Sequence, residues 1–431
     1  MGTVLLISPY FPPMGVSGAK RALHLVRNLP AEGWRAVVLA ARPVNERPDP
    51  SQLQDIPPEA VVDYGFNGRA RPLLKAWSER RKGSNSKEKA AKPAAGRGGW
   101  PRPAWWPQDA SFLTPFDRYL LDVPAGLRAA RRLVRQHRPD VIHVSADPWS
   151  PLIVARQISR EFRVPLVVDF RDPWSQHAGK MALRPAPAQA ALRAFEAALF
   201  AGAARVVLNT EACRDAYVAA YAGRLPAERF TAIRNAFDEG LFAPGEPTPR
   251  SAFTVAYFGR FRRFVEPDAL FDGFSRFVRA EGLAPGEATL QIIGGISPEH
   301  RERAHAFGLA GYLEVTPPVP FRHSLPVLQS AHVLALVINP ESHLQIPGKL
   351  YDYMAARRPI LAVSANAEVD GILARTGTGL SARHGDAADI ADKLRRLRAA
   401  PEPLSADAVE PFSARTQARL MAGVYAAAAR S

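Results

Sequence analysis

The chain has 431 residues, 47% hydrophobic and 23% charged, with a formal net charge of +15 and a single cysteine, Cys213. That length exceeds one ordinary core and predicts two domains, and the balance of apolar to charged residues excludes a disordered or fibrous chain. One cysteine excludes an internal disulfide and fits a reducing compartment, and no apolar run reaches the about 18 residues of a membrane span.

In chain order, Met1-Gly2-Thr3 runs straight into the short strand "VLLIS", with no charged leader and apolar signal core. A helix from about Gly18 to Leu29 follows, then the strand "RAVVLAA". The segment from about 66 to 106 interrupts the pattern with eleven Lys or Arg against Glu79 and Glu88. Its run "RRKGSNSKEKAAKPAAGRGGWPRPAWW" lacks periodicity and reads as a mobile basic insertion. Basic residues beside Trp77, Trp100, Trp105 and Trp106 suit an anionic membrane surface. A solvated loop has the same composition, and no nucleic-acid motif accompanies it, so no nucleic-acid partner is expected.

The alternation resumes with a helix through "AGLRAARRLVRQH", the strand "DVIHVS", a helix after Trp149, "PLVVDF", a helix through "QAALRAFEAALFAG" and "RVVLNT". Short Val, Leu and Ile runs of this kind belong to a parallel sheet covered on both faces. "DEGLFAPGEPTPRSA" after Phe237 is the linker candidate. Beyond it come "FTVAYFG", the helix "PDALFDGFSRFVRAEG", "TLQIIGG", a helix from about Pro298 and "YLEVTPP". A helix near "SLPVLQSAH", "VLALVIN", the helix of "IPGKLYDYMAARRP", "PILAVS" and two final helices complete the chain. Two successive βα series predict an α/β chain of two Rossmann-like doubly wound domains facing across a cleft. The expected bounds are 1–245 and 246–431, with the last helix returning onto the first domain.

In such sheets ligands sit beyond the carboxyl ends of strands. After the first strand, Gly15 and Gly18 in "SPYFPPMGVSGAKR" would let backbone approach a phosphate. The loop is too long for a dinucleotide fingerprint, and relief of backbone strain alone would also explain the glycines. After "VAYF", Gly259 allows close approach, while Arg260, Arg262 and Arg263 offer planar donors suited to a diphosphate. In "IPGKLYDYMA", Gly348 precedes Lys349 in the first helical turn, and Asp352 follows on the same face about 5–6 Å away. A cation for anionic oxygens and a carboxylate for vicinal hydroxyls together fit a sugar nucleotide. Leu350, Tyr353 and Met354 make the inward face of that helix, and a plain surface Lys–Asp pair is the bland alternative.

The ordered set "SPYFPPMGVSGAKR", "PDVIHVSADPWS", "PLVVDFRDPWS", "VVLNTEA", "IRNAFDEGLF", "YFGRF" and "IPGKLYDYMAARRPILAV" resembles a GT-B glycosyltransferase similar to family 4, of the bacterial cell-surface polysaccharide type. "DFRDPW" and "PGKLYDYMA" are its most specific elements, and the resemblance covers nearly all the chain outside the basic insertion. It implies sugar transfer from a nucleotide-sugar donor with retained configuration, no metal and no cofactor. The second domain would hold the nucleotide and the first the acceptor. It implies that Arg262 or Arg263 and Lys349 take the diphosphate, Asp352 the ribose, and Gly15 to Gly18 the phosphate from across the cleft. Gly259, Arg260, Gly348 and Leu350 line the same substrate-binding loops.

Asp172 in "DFRDPW" matches an acceptor-side polar position, where it would bond an acceptor or donor-sugar hydroxyl, or be held by Arg171 as an ion pair. His143 reads as a packing or hinge residue. Counting back eight residues from Asp352 gives Leu344, where the family commonly has a glutamate, and Glu341 lies too far upstream to replace it. The usual Arg…Lys pair of the phosphate loop is here a cluster of arginines. The expected acceptor is a lipid-linked saccharide, with a soluble acceptor as the alternative, and the expected location is cytoplasmic at the inner membrane face. A non-hydrolysing sugar-nucleotide epimerase would need an acid–base cluster around the sugar, which the loops lack. A membrane scaffold would have no use for a Lys349–Asp352 pocket.

Overall fold

Val4 to Ile7 are almost wholly shielded from water, and so is every residue of the strand Val141–Ala146. Strands buried on both faces cannot alternate polar with apolar, which is why these segments read as continuous hydrophobic runs. The computed structural model describes residues 1–44, 46, 48–77, 79, 110–240, 250–261, 266–319, 321–399 and 405–431. Arg262, Arg263, most of the expected linker and the expected basic insertion from 80 onward lie outside the described residues.

Two units divide the chain. The first comprises Met1–Asn209, Cys213–Ile233 and Ala418–Ser431; the second comprises Thr210–Ala212 and Arg234–Gln417. In the first, β1 (Gly2–Ile7), β2 (Trp34–Leu39), β3 (Val61–Asp63), β4 (Val141–Ala146), β5 (Leu166–Phe170), β6 (Arg205–Leu208) and β7 (Phe230–Ala232) form a parallel sheet. Its order is β3-β2-β1-β4-β5-β6-β7, so the winding reverses between β1 and β4. In the second, β8 (Phe253–Phe258), β9 (Ala288–Ile293), β10 (Leu313–Thr316), β11 (Val333–Val337), β12 (Ile360–Ser364) and β13 (Gly379–Arg383) run β10-β9-β8-β11-β12-β13. The reversal there falls between β8 and β11.

Side-chain parity splits the second unit's interior into two layers. Val255, Tyr257, Ala335 and Leu361 pack with the helices Asp268–Ala280 and Ala387–Ala399. Ala256, Leu334, Leu336 and Ala362 pack on the other face with Leu350, Tyr353 and Met354 of the helix Lys349–Ala355. Each such buried Val, Leu or Met side chain contributes about 2 kcal/mol.

Three strands escape the sequence analysis: β3, β7 and β13. All are edge strands, short and rich in polar or small residues, so hydrophobic pattern alone does not separate them from loops. Gly379 shows what β13 needs, since a Cβ there would lie 2.0 Å from the Ile360 carbonyl oxygen of β12.

The start of the expected mobile insertion is folded. Phe66 and Arg71 are buried, and residues 70–77 are helical. Arg71 pairs with Asp122 and reaches Glu46 at 3.4 Å, while Glu46 also accepts from Tyr119 at 2.6 Å and from Arg118 at 2.7 Å. Burial opposes the charge on Glu46, but the Tyr119 hydroxyl, the Val44 amide and Arg118 outweigh it and lower its pKa from 4.5 to about 2. A depressed carboxylate stabilises the fold above its unfolded pKa and loses that contribution as pH falls through the folded value. Glu46→Gln is therefore expected to be less stable than wild type by about 3 kcal/mol near neutrality. Denaturant titrations should show that gap closing between about pH 5 and pH 2; a gap constant over this range contradicts the assignment.

Candidate active site

The carboxyl end of β8 is where the second unit concentrates backbone that only glycine tolerates. Gly259 has φ +113°, and Gly294 and Gly295, which follow β9, have φ +127° and +88°. A Cβ on Gly294 would stand 3.0 Å from the Gly259 backbone, so the two loops touch face to face. A Cβ on Gly259 would stand 2.9 Å from the ammonium of Lys349. Lys349 Nζ donates to the Tyr257 hydroxyl at 2.9 Å and lies 4.1 Å from the centre of that ring. Tyr257 is stacked in turn on Phe261, centroids 4.2 Å apart. The result is a lysine cation held beside the Gly259 backbone, on which the Gly294 loop packs, at the winding reversal.

The helix carrying Lys349 is fixed from two sides. Its Tyr353 hydroxyl accepts from the Phe258 amide at 3.0 Å and donates to the Ala335 carbonyl at 3.3 Å, tying the helix to the end of β8 and the middle of β11. The loop before it is gathered by buried Asn366, whose amide donates to the carbonyls of Ser342, His343 and Gln345. The Asn366 oxygen accepts from the amides of Glu368 and Val369, capping the helix Ala367–Thr376. Sequence inspection passed over Asn366 because an N-cap asparagine looks alike whether or not its amide reaches another loop.

Of the residues expected here, Lys349 and Gly259 come together, with Arg260 beside them. Arg260 is exposed, and its Nε donates to the Gly294 carbonyl at 3.1 Å. Gly348 is exposed with open space where a Cβ would go, and Asp352 is half-buried one turn beyond Lys349. Leu350 has its side chain fully buried in the core, and its amide is bonded to the Pro347 carbonyl at 3.0 Å. The helix is also only seven residues long, so the Lys349 side chain, not the helix start, carries the positive charge.

The first unit has its own cluster at the carboxyl ends of β1, β4 and β5. Arg171 Nη2 pairs with Asp147 Oδ1 at 2.9 Å, and its guanidinium lies 5.5 Å over the Tyr10 ring. Gly18 lies against this guanidinium. A Cβ there would fall 1.8 Å from Arg171 Nη1, so this glycine vacates space for the guanidinium. Gly15, three residues earlier, is exposed. Arg171 is thus engaged by Asp147, with Asp172 half-buried beside it. Burial and the neighbouring Asp172 push the pKa of Asp147 up, against the opposing effect of Arg171.

Asp147 was missed by sequence reasoning, yet a signal existed. "DPWS" occurs twice, at Asp147–Ser150 after β4 and at Asp172–Ser175 after β5. In the fold Trp149 and Trp174 stack 4.7 Å apart at 5°, Ser150 bonds Asp117 and Ser175 bonds Glu196. The repeat is one structural unit used on neighbouring strands to present two carboxylates side by side. Below it, fully buried His143 joins Tyr425 at 2.6 Å and Asp169 at 3.4 Å, a packing role as expected.

Two parallel doubly wound units, each with polar groups gathered at the strand ends beside its reversal, define the GT-B class of fold. The chain belongs to the glycosyl transferase 4-like family, whose domain matches residues 18–236, and residues 252–399 match the glycosyl transferases group 1 domain. It is similar to D-inositol 3-phosphate glycosyltransferase 1 of Catenulispora acidiphila, at 26% identity over 283 residues. That match takes in 62% of this chain and 66% of the relative, just under two thirds of the relative's length. Among solved structures, sucrose-phosphate synthase from Thermosynechococcus elongatus aligns with a TM-score of 0.62 and 16% identity, covering 100% of this chain and 97% of that one. Anabaena HepE in complex with UDP-glucose aligns at 0.57 and 15% identity, covering 98% and 95%. These structural likenesses establish the fold.

Proposed function

We propose that the chain transfers a glycosyl group from a nucleoside-diphosphate sugar to an acceptor hydroxyl with retention at the anomeric carbon. The observation that carries this is Lys349, its ammonium beside Gly259 at the end of β8, where the Gly294 loop packs on the Gly259 backbone. Cleaving the anomeric C–O bond leaves a diphosphate with growing negative charge, and a preorganised cation with unhindered backbone beside it lowers that barrier. Lys349 and Arg260 take the diphosphate, and Asp352 accepts hydrogen bonds from ribose hydroxyls. In the first unit Asp147 and Asp172 accept from a sugar or acceptor hydroxyl, with Arg171 holding Asp147 in place. A raised pKa at Asp147 suits a carboxyl that exchanges hydrogen bonds with a neutral hydroxyl.

A uridine nucleotide is the favoured donor carrier, on the likeness to a UDP-glucose-bound structure. A lipid-linked saccharide is the favoured acceptor, in cell-surface polysaccharide synthesis at the inner membrane face. A soluble phosphorylated polyol is the second reading, favoured by the name of the Catenulispora relative. Thermal shift with UDP, GDP and dTDP tests the donor site. At about 100 times its Kd the correct nucleotide adds about 3 kcal/mol and raises Tm by several degrees. No shift with any of the three contradicts the proposal.

A further inference from the structure

The two Asp-Pro-Trp-Ser turns are each held by a carboxylate that comes from elsewhere in the chain. In the first turn, Asp117 accepts from the amides of Trp149 and Ser150 and, at 2.9 Å, from the Ser150 hydroxyl. In the second, Glu196 accepts from the Ser175 amide at 3.2 Å and from the Ser175 hydroxyl at 2.5 Å. The Trp174 amide reaches the same carboxylate through one intermediary. It donates to the Tyr217 hydroxyl at 2.9 Å, which in turn donates to Glu196 Oε2 at 3.1 Å. In both turns, then, the tryptophan amide, the serine amide and the serine hydroxyl all lead to one carboxylate. Asp147 and Asp172 stand two residues before those tryptophans, so a turn gripped at its Trp and Ser has its aspartate fixed as well.

Glu196 lies on the helix Ala186–Gly202, is 1% exposed, and takes a fourth bond from the Tyr221 hydroxyl at 3.0 Å. All four of these donors are neutral, and burial raises the pKa of the carboxyl against them. A carboxyl withdrawn from water with no cation beside it costs stability compared with a well-packed apolar side chain of similar volume. Filling space therefore does not account for a glutamate here, whereas holding a polar turn does. The stack of Trp149 on Trp174 then couples the two turns, since neither ring can shift without disturbing the other.

We propose that Glu196, acting through Ser175 and Tyr217, is the positioning residue that fixes Asp172 and, through the tryptophan stack, its placement relative to Asp147. The hydroxyl those two carboxylates receive rests on the transfer reading above; the positioning rests on the bonds alone.

Tyr217 and Tyr221 separate positioning from stability. Both hydroxyls are bonded to Glu196 and both residues are buried, but only Tyr217 also accepts from the turn. Tyr217→Phe is expected to lower acceptor-side kcat/KM by about tenfold, and Tyr221→Phe to stay within about twofold of wild type at a similar loss of Tm. Glu196→Leu should lose about 100-fold, and Glu196→Gln should recover most of that. An amide oxygen can still accept from the Ser175 amide and Tyr217, while the Ser175 and Tyr221 hydroxyls turn to accept from its NH2 group. The assay follows UDP release from UDP-glucose with methyl glucoside as the added hydroxyl and with water alone. Circular dichroism of the coupled tryptophan pair reads the turn without any substrate, and its paired band should weaken in Tyr217→Phe and persist in Tyr221→Phe. Equal effects of the two phenylalanine variants in either readout overturn the proposal, as does a Glu196→Gln no better than Glu196→Leu. If wild type releases no UDP in either arm, the transfer reading fails, and the dichroism alone decides the positioning.

Discussion

Replacing Lys349 by alanine is expected to lower kcat/KM by about 100- to 1,000-fold, most of it in kcat, since the ammonium meets charge that grows as the diphosphate departs. UDP affinity should fall by less, about tenfold, because the ground-state nucleotide already carries part of that charge. The substitution should leave the fold intact: Leu350, Tyr353 and Met354 anchor the helix, and the Tyr353 hydroxyl keeps its bond to the Phe258 amide. Lysine to arginine is not a conservative control here, as a planar guanidinium fork does not reproduce the single ammonium donated to the Tyr257 hydroxyl. Steady-state kinetics with donor and acceptor varied separately check the split. Unchanged kcat with raised KM would assign Lys349 to uniform binding instead.

The largest stability effect is expected at Arg21. Its guanidinium makes a bidentate pair with fully buried Asp169 at 2.7 and 2.9 Å and also donates to the Ile233 carbonyl at 3.0 Å. Burial disfavours the Asp169 charge, but Arg21 and His143 outweigh it and hold the carboxyl well below the usual carboxylate range. Arg21→Ala leaves a buried carboxylate without its guanidinium, with His143 3.4 Å away, at a cost of about 3–5 kcal/mol. The sign with pH follows from the depressed pKa. In wild type this pair's contribution is fully present above about pH 4 and declines only as pH falls toward the folded value. In Arg21→Ala the carboxyl's pKa rises, so acid ceases to destabilise through this group. Denaturant midpoints at neutral and acid pH should show the penalty shrinking on acidification. The double variant Arg21→Met with Asp169→Leu should recover most of the loss, since removing both charges removes the desolvation problem. A double variant as unstable as the single would show that packing, not charge, carries the effect.

How much of this was legible in the sequence depends on what each residue's environment demanded. Central strands such as "VLLIS" and "VIHVS" announced themselves because burial on both faces forces an unbroken apolar run. Edge strands such as "GLSAR" did not, because their pairing is set by a close approach at Gly379 that only coordinates reveal. At the candidate site, Gly259 and Lys349 were readable from their places after a strand and at a helix start. Their convergence was not, since it depends on Gly294 pressing on Gly259 from another loop. The surroundings of Gly18 and Leu350 were not legible for one reason: a glycine or an aliphatic residue near a ligand loop looks identical whether it faces the loop or a neighbouring side chain. Asp147 was not legible as a site residue because "SADPW" after one strand gains its meaning only from standing beside "DFRDPW" after the neighbouring strand.

The structure of the chain with a uridine diphosphate sugar bound tests the central claim most directly. The account predicts diphosphate oxygens within hydrogen-bond distance of Lys349 Nζ, resting over the Gly259 and Gly294 backbones, with the ribose on Asp352. A diphosphate bound away from β8, with Lys349 still seated on the Tyr257 hydroxyl, would contradict it.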